Sequence, residues 1–537
     1  MSYLIQKIRD NLIGERQAIE TPFGYKPLVY MDYTASGRNL HFVEDFIRDK
    51  VMPNYANTHS ESSFTGKQMT LLREQARQQV REAVNGHEDH KVIFCGSGAS
   101  SAIEKIIGVL GLSIPSVLEE KYAFGKQIEN PTVVFLGPYE HHSNDLQWRE
   151  STAKVVRIGL TPEGLIDVEQ LERELVLHKD HTQKIGTFSA ASNVTGLKSD
   201  VASITALLHK HDALAFWDYA AAAPYVSIDM RGMSLDAIFL SPHKLVGGPG
   251  TPGILVADKK IFHNKVPVMP GGGTVNFVSG TYQSYLSNIE SREEGGTPAI
   301  IESIRAGLVF KLQQAVGTDL IEKNEQGFVS RVIARWKDNP LIEMLGNLEA
   351  DRLAIVSFRL LYKSRHEEQE LHYGLVVAML NDVFGIQARG GCSCAGPYGH
   401  VLLGIGEKES EAFAEEARQG NFLTRPGWTR MNFNYFLDEA TFEYTVKAVE
   451  MIAEFGHKLA KDYVYNTDTG TWNYLEKSIS CPVNLGDFLS QGSLSQSAFS
   501  EKTAKENKES FKESWCLDRL ISQAKAILTC QGVKLSA

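Results

Sequence analysis

Six short apolar runs between Lys91 and Ser241 constrain this chain more than any other feature. They read "KVIFCG", "TVVFLG", "AKVVRIGL", "IGTFSAAS", "LAFWDYA" and "DAIFLS", rich in Val, Ile and Phe and closed by small or polar residues. Helix-like stretches lie between several of them: "SSAIEKIIGVLGL", "DVEQLERELVLHK" and "DVASITALLHKH". Strands alternating with helices predict an α/β fold whose mainly parallel sheet is covered on both faces. Right-handed crossovers then bring the strand C-termini to one edge, the edge at which such sheets bind ligands.

Near Ala299 the pattern changes. "AIIESIRAGLVFKLQQAV" predicts a long helix, and the chain onward to Tyr465 suits a smaller α+β domain. The expected organisation is an N-terminal helical segment (1–28), a large domain (29–298), a small domain (299–465) and a tail (466–537). The tail reads as a polar linker, "SQGSLSQSAFSEKTAKENKESFKES", before a terminal helix, "WCLDRLISQAKAIL".

Charge and composition exclude several classes of partner. A formal net charge of -10 over 537 residues disfavours nucleic acid or an anionic membrane. No apolar run reaches spanning length. The opening "MSYLIQKIRDNLIGERQ" lacks the apolar core of a secretion signal, so a cytoplasmic location is expected. Six cysteines in so long a chain do not make a disulfide scaffold.

Chemistry-bearing residues sit where the strands should end. In "FLSPHKLVGGPGTPG", Lys244 stands between an apolar run and a Gly/Pro loop. A lysine desolvated there loses basicity and becomes a nucleophile, although an ordinary loop lysine fits the same stretch. "GSGASSAI" follows the first strand and opens a helix; its bare N–H groups and the hydroxyls of Ser100 and Ser101 suit a phosphate, or merely a capped helix. His141 and His142 follow the second strand. No third ligand lies at a suitable spacing, which argues against metal, and a neutral imidazole could instead stack on a flat cofactor. Asn193, in "SNVTG", could bond a ring oxygen or simply close a turn. Asp218 ends the aromatic strand "FWDYAAAAPY", where a carboxylate needs a partner such as a protonated ring nitrogen. Together these groups match the needs of pyridoxal phosphate: a phosphate anchor, a ring stacker, a counter-charge for the pyridinium and a Schiff-base lysine.

From "VYMDYTASGR" at Val29 to "RMNFNYF" ending at Phe436, with "EHHS", "SNVTG", "WDYAAA" and "SPHK" in order between them, the chain resembles the class V aminotransferase family, in its cysteine desulfurase and selenocysteine lyase branch. The resemblance implies the aspartate aminotransferase-like fold and a pyridoxal phosphate enzyme. It implies phosphate contacts from Ala99, Ser100, Ser241 and His243, His141 on the ring face, Asn193 near the phenolic oxygen, Asp218 at the ring nitrogen and Lys244 as the attachment point. Thr297, in "REEGGTP", looks like a threonine that reaches the neighbouring subunit's phosphate, which implies a homodimer with shared sites. Arg430 looks like the arginine that grips the substrate carboxylate, with Arg389 and His59 as further substrate residues. Desulfurases usually carry a glutamine three residues after the aspartate; here that position is Ala221.

"ARGGCSCAGPYGH" aligns Cys394 with the desulfurase cysteine that takes sulfur from substrate and hands it to an acceptor protein. The pair Cys392 and Cys394 is also similar to the cysteine loop of molybdenum cofactor sulfurases. A thiolate attacking the substrate sulfur would leave a persulfide. A redox pair, half a zinc site and passive loop cysteines are the other readings of the pair. The resemblance thus implies a desulfurase or selenocysteine lyase, with a lyase, epimerase or aminotransferase needing no persulfide as the alternative.

Overall fold

The computed structural model describes residues 3–15, 17–58, 61–363, 368–477, 485–486 and 517–529. At its centre is a seven-stranded sheet of β1 (His90–Cys95), β2 (Val133–Leu136), β3 (Lys154–Arg157), β4 (Lys184–Ser189), β5 (Leu214–Asp218), β6 (Ala237–Leu240) and β7 (Gly253–Asp258), in the order β1-β7-β6-β5-β4-β2-β3. The pairs from β3 through to β6 are parallel, while β7 runs antiparallel to both β6 and β1. The reversal has a local cause. Parallel strands need a crossover, usually a helix, and the loop from β6 to β7 holds only one 3-10 turn, Pro242–Lys244.

Period-two alternation splits the strands between two cores. Phe94, Phe135, Phe188, Trp217, Ile238 and Ile254 face one side. Ile93, Val134, Ile185, Phe216, Phe239 and Leu255 face the other, where the helix Gly98–Val109 covers them with Ala102, Ile103 and Ile106.

The small domain is an antiparallel sheet of β8 (Ile342–Met344), β9 (Ile355–Lys363), β10 (Glu368–Leu371), β11 (Arg389–Gly391) and β12 (Trp428–Asn432), ordered β8-β9-β12-β11 with β10 also paired to β9. Helices Thr318–Trp336, Tyr373–Phe384 and Glu439–Leu459 close its core. The long helix expected from Ala299 is present as Ile300–Val316, but it packs on the large-domain core through Ala306, Val309, Phe310 and Val316, not on the small one. Val29–Tyr30 pairs in parallel with Ile386–Gln387, which seats the start of the large domain against the small one.

The ends of the chain differ from expectation. The N-terminal helix covers only Tyr3–Asp10, and Ala18–Thr21 and Gly24–Pro27 form a hairpin where a helical segment was expected. After the Glu439–Leu459 helix, Tyr463–Asn466 and Thr471–Tyr474 form a second hairpin, so ordered structure runs past the expected start of the linker. Its turn is built by Asn466, whose Oδ1 accepts the N–H groups of Asp468 and Thr469. The stretch 490–514 lies outside the described residues. The terminal helix is present as Leu517–Thr529 and buries Ala524 and Leu528 against the small-domain core.

Candidate active site

The parallel run brings β2, β4, β5 and β6 to one edge, the double reversal at β7 gives β1 the same direction, and each contributes there. A cavity of about 280 Å³ opens at that edge, near the lower bound for small-molecule sites. Ala99, Ser100, His141, Asn193, Asp218, Ala221, Ser241, His243 and Lys244 line it from the large domain. Arg389, Cys394 and Arg430 line it from the small domain. One sequence-selected residue lies elsewhere and one cannot be placed. Thr297 is exposed and outside the lining, with its Oγ1 accepting from Asn57 Nδ2 at 3.2 Å; His59 lies outside the described residues.

Burial sets the electrostatics of the large-domain wall. It pushes the Lys244 amine down to about 8, helped by the Arg430 guanidinium and opposed by Asp218. Burial raises Asp218, against the pull of the Ala220 N–H, which its Oδ1 accepts at 2.8 Å, and of Lys244. Burial, then the neighbouring Lys244 ammonium, push His141 down to about 3 and His243 to about 4, so both rings are neutral at physiological pH. His141 Nδ1 accepts the Ser143 N–H at 3.2 Å, which leaves the ring proton on Nε2. Ser143 Oγ in turn lies 2.6 Å from Ser100 Oγ.

The small-domain wall is organised by Asp32. Register in the β11–β12 pair puts Arg389 directly opposite Arg430. Asp32 lies between these two cations, accepting from Arg430 Nη2 at 3.0 Å and Arg389 Nε at 2.9 Å. Arg430 is buried, and its Nη1 donates to the Asn193 carbonyl at 3.0 Å. Burial lowers its basicity, with Asp32 opposing. Neither sequence spacing nor composition points to Asp32; the one signal was its place in the aromatic stretch "VYMDYT". Glu140 was likewise not selected. It lies buried behind the wall, accepting from Ser189 N–H at 2.8 Å, Ser189 Oγ at 2.8 Å and Asn144 Nδ2 at 2.6 Å. Burial outweighs those three bonds and pushes it up to about 8.

The two loop cysteines differ in place. Cys394 is exposed and lines the cavity, whereas Cys392 is partly buried against the large hydrophobic core and does not. Ser393 and Cys394 both adopt left-handed backbone, at φ 52 and 56. For residues with a Cβ that costs ~1–2 kcal/mol each. The loop is nevertheless docked: Asn193 Nδ2 donates to the Ser393 carbonyl at 2.8 Å, and the His142 N–H donates to the Cys394 carbonyl at 2.7 Å.

The residues present fit pyridoxal phosphate. Gly98 opens its helix at φ 59, and a Cβ there would lie 3.0 Å from Ser241 Oγ and 3.1 Å from His243 Cε1, so the glycine leaves a cradle that a side chain would fill. The N–H groups of the helix start and the hydroxyls of Ser100, Ser143 and Ser241 suit a phosphate. Asn193 Oδ1 is buried without a partner beside the same cavity. Asp218 supplies the carboxylate that a protonated ring nitrogen requires. With Ala221 in the wall, no side chain at that position reaches a ring oxygen.

The "Probable cysteine desulfurase" of Halalkalibacterium halodurans is 27% identical over 375 residues, spanning 69% of this chain and 85% of that protein. A protein of the same description from Streptomyces coelicolor is 26% identical over 379 residues, 70% of this chain and 84% of its own length. Among solved structures, the apo cysteine desulfurase of Thermococcus onnurineus NA1 superposes with a TM-score of 0.64 at 22% identity, over 80% of this chain and 95% of that one. The Escherichia coli cysteine desulfurase CsdA, in its S-sulfonic acid form, also gives 0.64, at 20% identity over 84% and 99%. At such identity these two speak for the fold alone. A family model described as Aminotransferase class-V matches residues 29–406, and the chain belongs to that family of pyridoxal phosphate-dependent enzymes.

Proposed function

We propose that this enzyme is a cysteine desulfurase, or a selenocysteine lyase of the same chemistry, in which Cys394 takes the sulfur as a persulfide. One observation carries the proposal: the Cys394 thiol lines the same cavity as Lys244, Asp218 and Arg430. An epimerase, an aminotransferase or a lyase acting on another amino acid needs no persulfide there.

When bound, pyridoxal phosphate supplies an electron sink for bonds around the substrate's α-carbon. The chain's own residues divide the remaining work. Arg430 and Arg389 present planar guanidinium groups to the substrate carboxylate, which takes over from Asp32 as their acceptor. Lys244 attaches the cofactor through Nζ and, once free, moves protons at that atom. The His141 ring stays neutral, with its proton on Nε2. Cys394 attacks as the thiolate. A sulfur–sulfur bond forms as the substrate's carbon–sulfur bond breaks, its electron pair remaining on carbon and taking up a proton. Thus cysteine plus the enzyme thiol gives alanine plus the enzyme persulfide. A sulfur-acceptor protein then removes the outer sulfur.

The proposed assembly is a homodimer. In support, Val266, Met269, Phe277, Val278 and Tyr282 are exposed on and around the hairpin of Val275–Val278 and Gln283–Tyr285, a concentration of apolar surface that suits a second copy. Thr297 then serves the partner's phosphate. The proposed location is the cytoplasm; no helix among the described residues is long and apolar enough to cross a membrane.

A panel of amino acids tests the reaction, scored for sulfide, alanine, keto acid and racemised product. Cysteine or selenocysteine should yield alanine with the chalcogen first held on the protein. Keto acid or racemised product without sulfur release overturns the proposal in favour of other class V chemistry.

Two further results are expected. Asp218→Asn keeps the shape of the side chain and loses its charge, so cofactor should still bind while turnover falls about 10²-fold; near-normal turnover reduces Asp218 to a structural role. Cofactor capture by the apoprotein requires neutral Lys244. Its rate should rise about tenfold per pH unit and level off near the lowered value of about 8. Stopped-flow absorbance between pH 6 and 10.5 measures this, and a rise continuing to the top of that range contradicts the depressed amine.

A further inference from the structure

We propose that His142 is a positioning residue that latches the cysteine loop over the cavity, holding the turn from Cys394 to Gly396 at both ends. The inference rests on the desulfurase reading for its purpose, and on geometry for its existence. The His142 backbone N–H donates to the Cys394 carbonyl at 2.7 Å. Its ring Nε2 accepts the Gly396 N–H at 2.9 Å. One residue thus grips the chain on both sides of Ala395, while Asn193 holds Ser393 next to it. Gly396 permits the approach, because a Cβ at that position would sit 3.2 Å from His142 Nε2.

The loop needs such a hold. Two successive residues with Cβ atoms, Ser393 and Cys394, lie in the left-handed region, a conformation that persists only where the surroundings impose it. The first bond, through the His142 backbone, survives any substitution that keeps the N–H, proline being the exception. The second depends on an unprotonated Nε2. Burial favours that state by lowering the ring's basicity against the pull of the Asp145 carboxylate, and the nearest other ring, His141, stands 6.3 Å away and is itself neutral. His142 is not among the residues lining the cavity, so it acts on the reaction only through the loop that carries Cys394.

Two substitutions separate the acceptor from the bulk of the side chain. His142→Phe keeps a ring and removes the acceptor; His142→Gln keeps an acceptor at similar reach. Hydrogen exchange of the holoenzyme, read on the peptide containing Gly396, should quicken about tenfold in His142→Phe, the worth of one hydrogen bond. Persulfide formation on Cys394 should slow about fivefold, with cofactor absorbance and the KM for cysteine unchanged. His142→Gln should restore both. In wild type the Gly396 amide should exchange more slowly than its intrinsic rate, a check that needs no variant. Unprotected Gly396 in wild type, unchanged exchange in His142→Phe, or a loosened loop with undiminished persulfide formation would each overturn the latch. Absence of any sulfur adduct on wild-type Cys394 overturns the desulfurase reading instead, and the exchange comparison still decides whether the latch exists.

Discussion

Lys244→Ala is expected to abolish turnover, with a loss of about 10³-fold or more. The size follows from the number of tasks that converge on one nitrogen. Lys244 is the lysine that lines the cavity, it follows directly from the strand β6, and its amine is depressed to about 8 by burial. Among the described residues lining the cavity, no other amine can attach the cofactor or move protons at the same place. Alanine leaves Asp218, Ser241 and His243 untouched, so the variant should still bind pyridoxal phosphate, reversibly and with the absorbance of the free aldehyde. Borohydride reduction of the wild type followed by peptide mapping should place the pyridoxyl group on Lys244. A label on another lysine, or residual turnover within tenfold of wild type, refutes the assignment.

Lys244 and Asp218 were legible in the sequence because each interrupts an apolar run at the position where a buried strand must end. A charge at such a boundary conflicts with simple packing, and the conflict is the signal. Asp32 gave no comparable signal. Its partner Arg430 lies 398 residues further along the chain, and long-range pairing, including that of Val29–Tyr30 with Ile386–Gln387, brings the two regions together. The Asn432 N–H, two residues beyond Arg430, also donates to the Met31 carbonyl at 2.8 Å, and no periodicity or local spacing encodes such a long-range pairing. Glu140 was hidden for a related reason: its meaning depends on burial behind the His141 wall and on Ser189 of a neighbouring strand. The C-terminal hairpin was lost in a polar context. "NTDTG" reads as linker until Asn466 is seen to fold its own turn and Tyr463 and Trp472 to pack against the small domain. The mainly parallel sheet was legible, whereas the reversal of β7 is carried only by a Gly/Pro approach that leaves no room for a crossover helix.

The cysteine pair shows most sharply what local sequence leaves open. "GCSC" places two thiols two residues apart and says nothing of which faces the cavity. In an extended chain both would point the same way. The left-handed pair Ser393 and Cys394 breaks that equivalence. It turns Cys394 to the cavity and leaves Cys392 against the core. Cys394→Ser should therefore lose sulfur transfer, by at least about 10²-fold, because a serine hydroxyl is too weakly ionised to replace a thiolate. Binding of cysteine should survive, since Lys244, Asp218, Arg389 and Arg430 are all retained, and the cofactor absorbance should still shift when cysteine is added. Cys392→Ser should stay within about threefold of wild type, a partly buried thiol and a hydroxyl differing little in volume. Mass spectrometry of wild type after exposure to cysteine should find one extra sulfur on the peptide carrying both residues, removable by reductant. That adduct should persist in Cys392→Ser and vanish in Cys394→Ser. An adduct that instead follows Cys392 would mean that the loop must open and turn over before the sulfur moves. Normal turnover in Cys394→Ser with no adduct on wild type would remove the persulfide altogether, and the enzyme would then be doing class V chemistry in which the thiol takes no part.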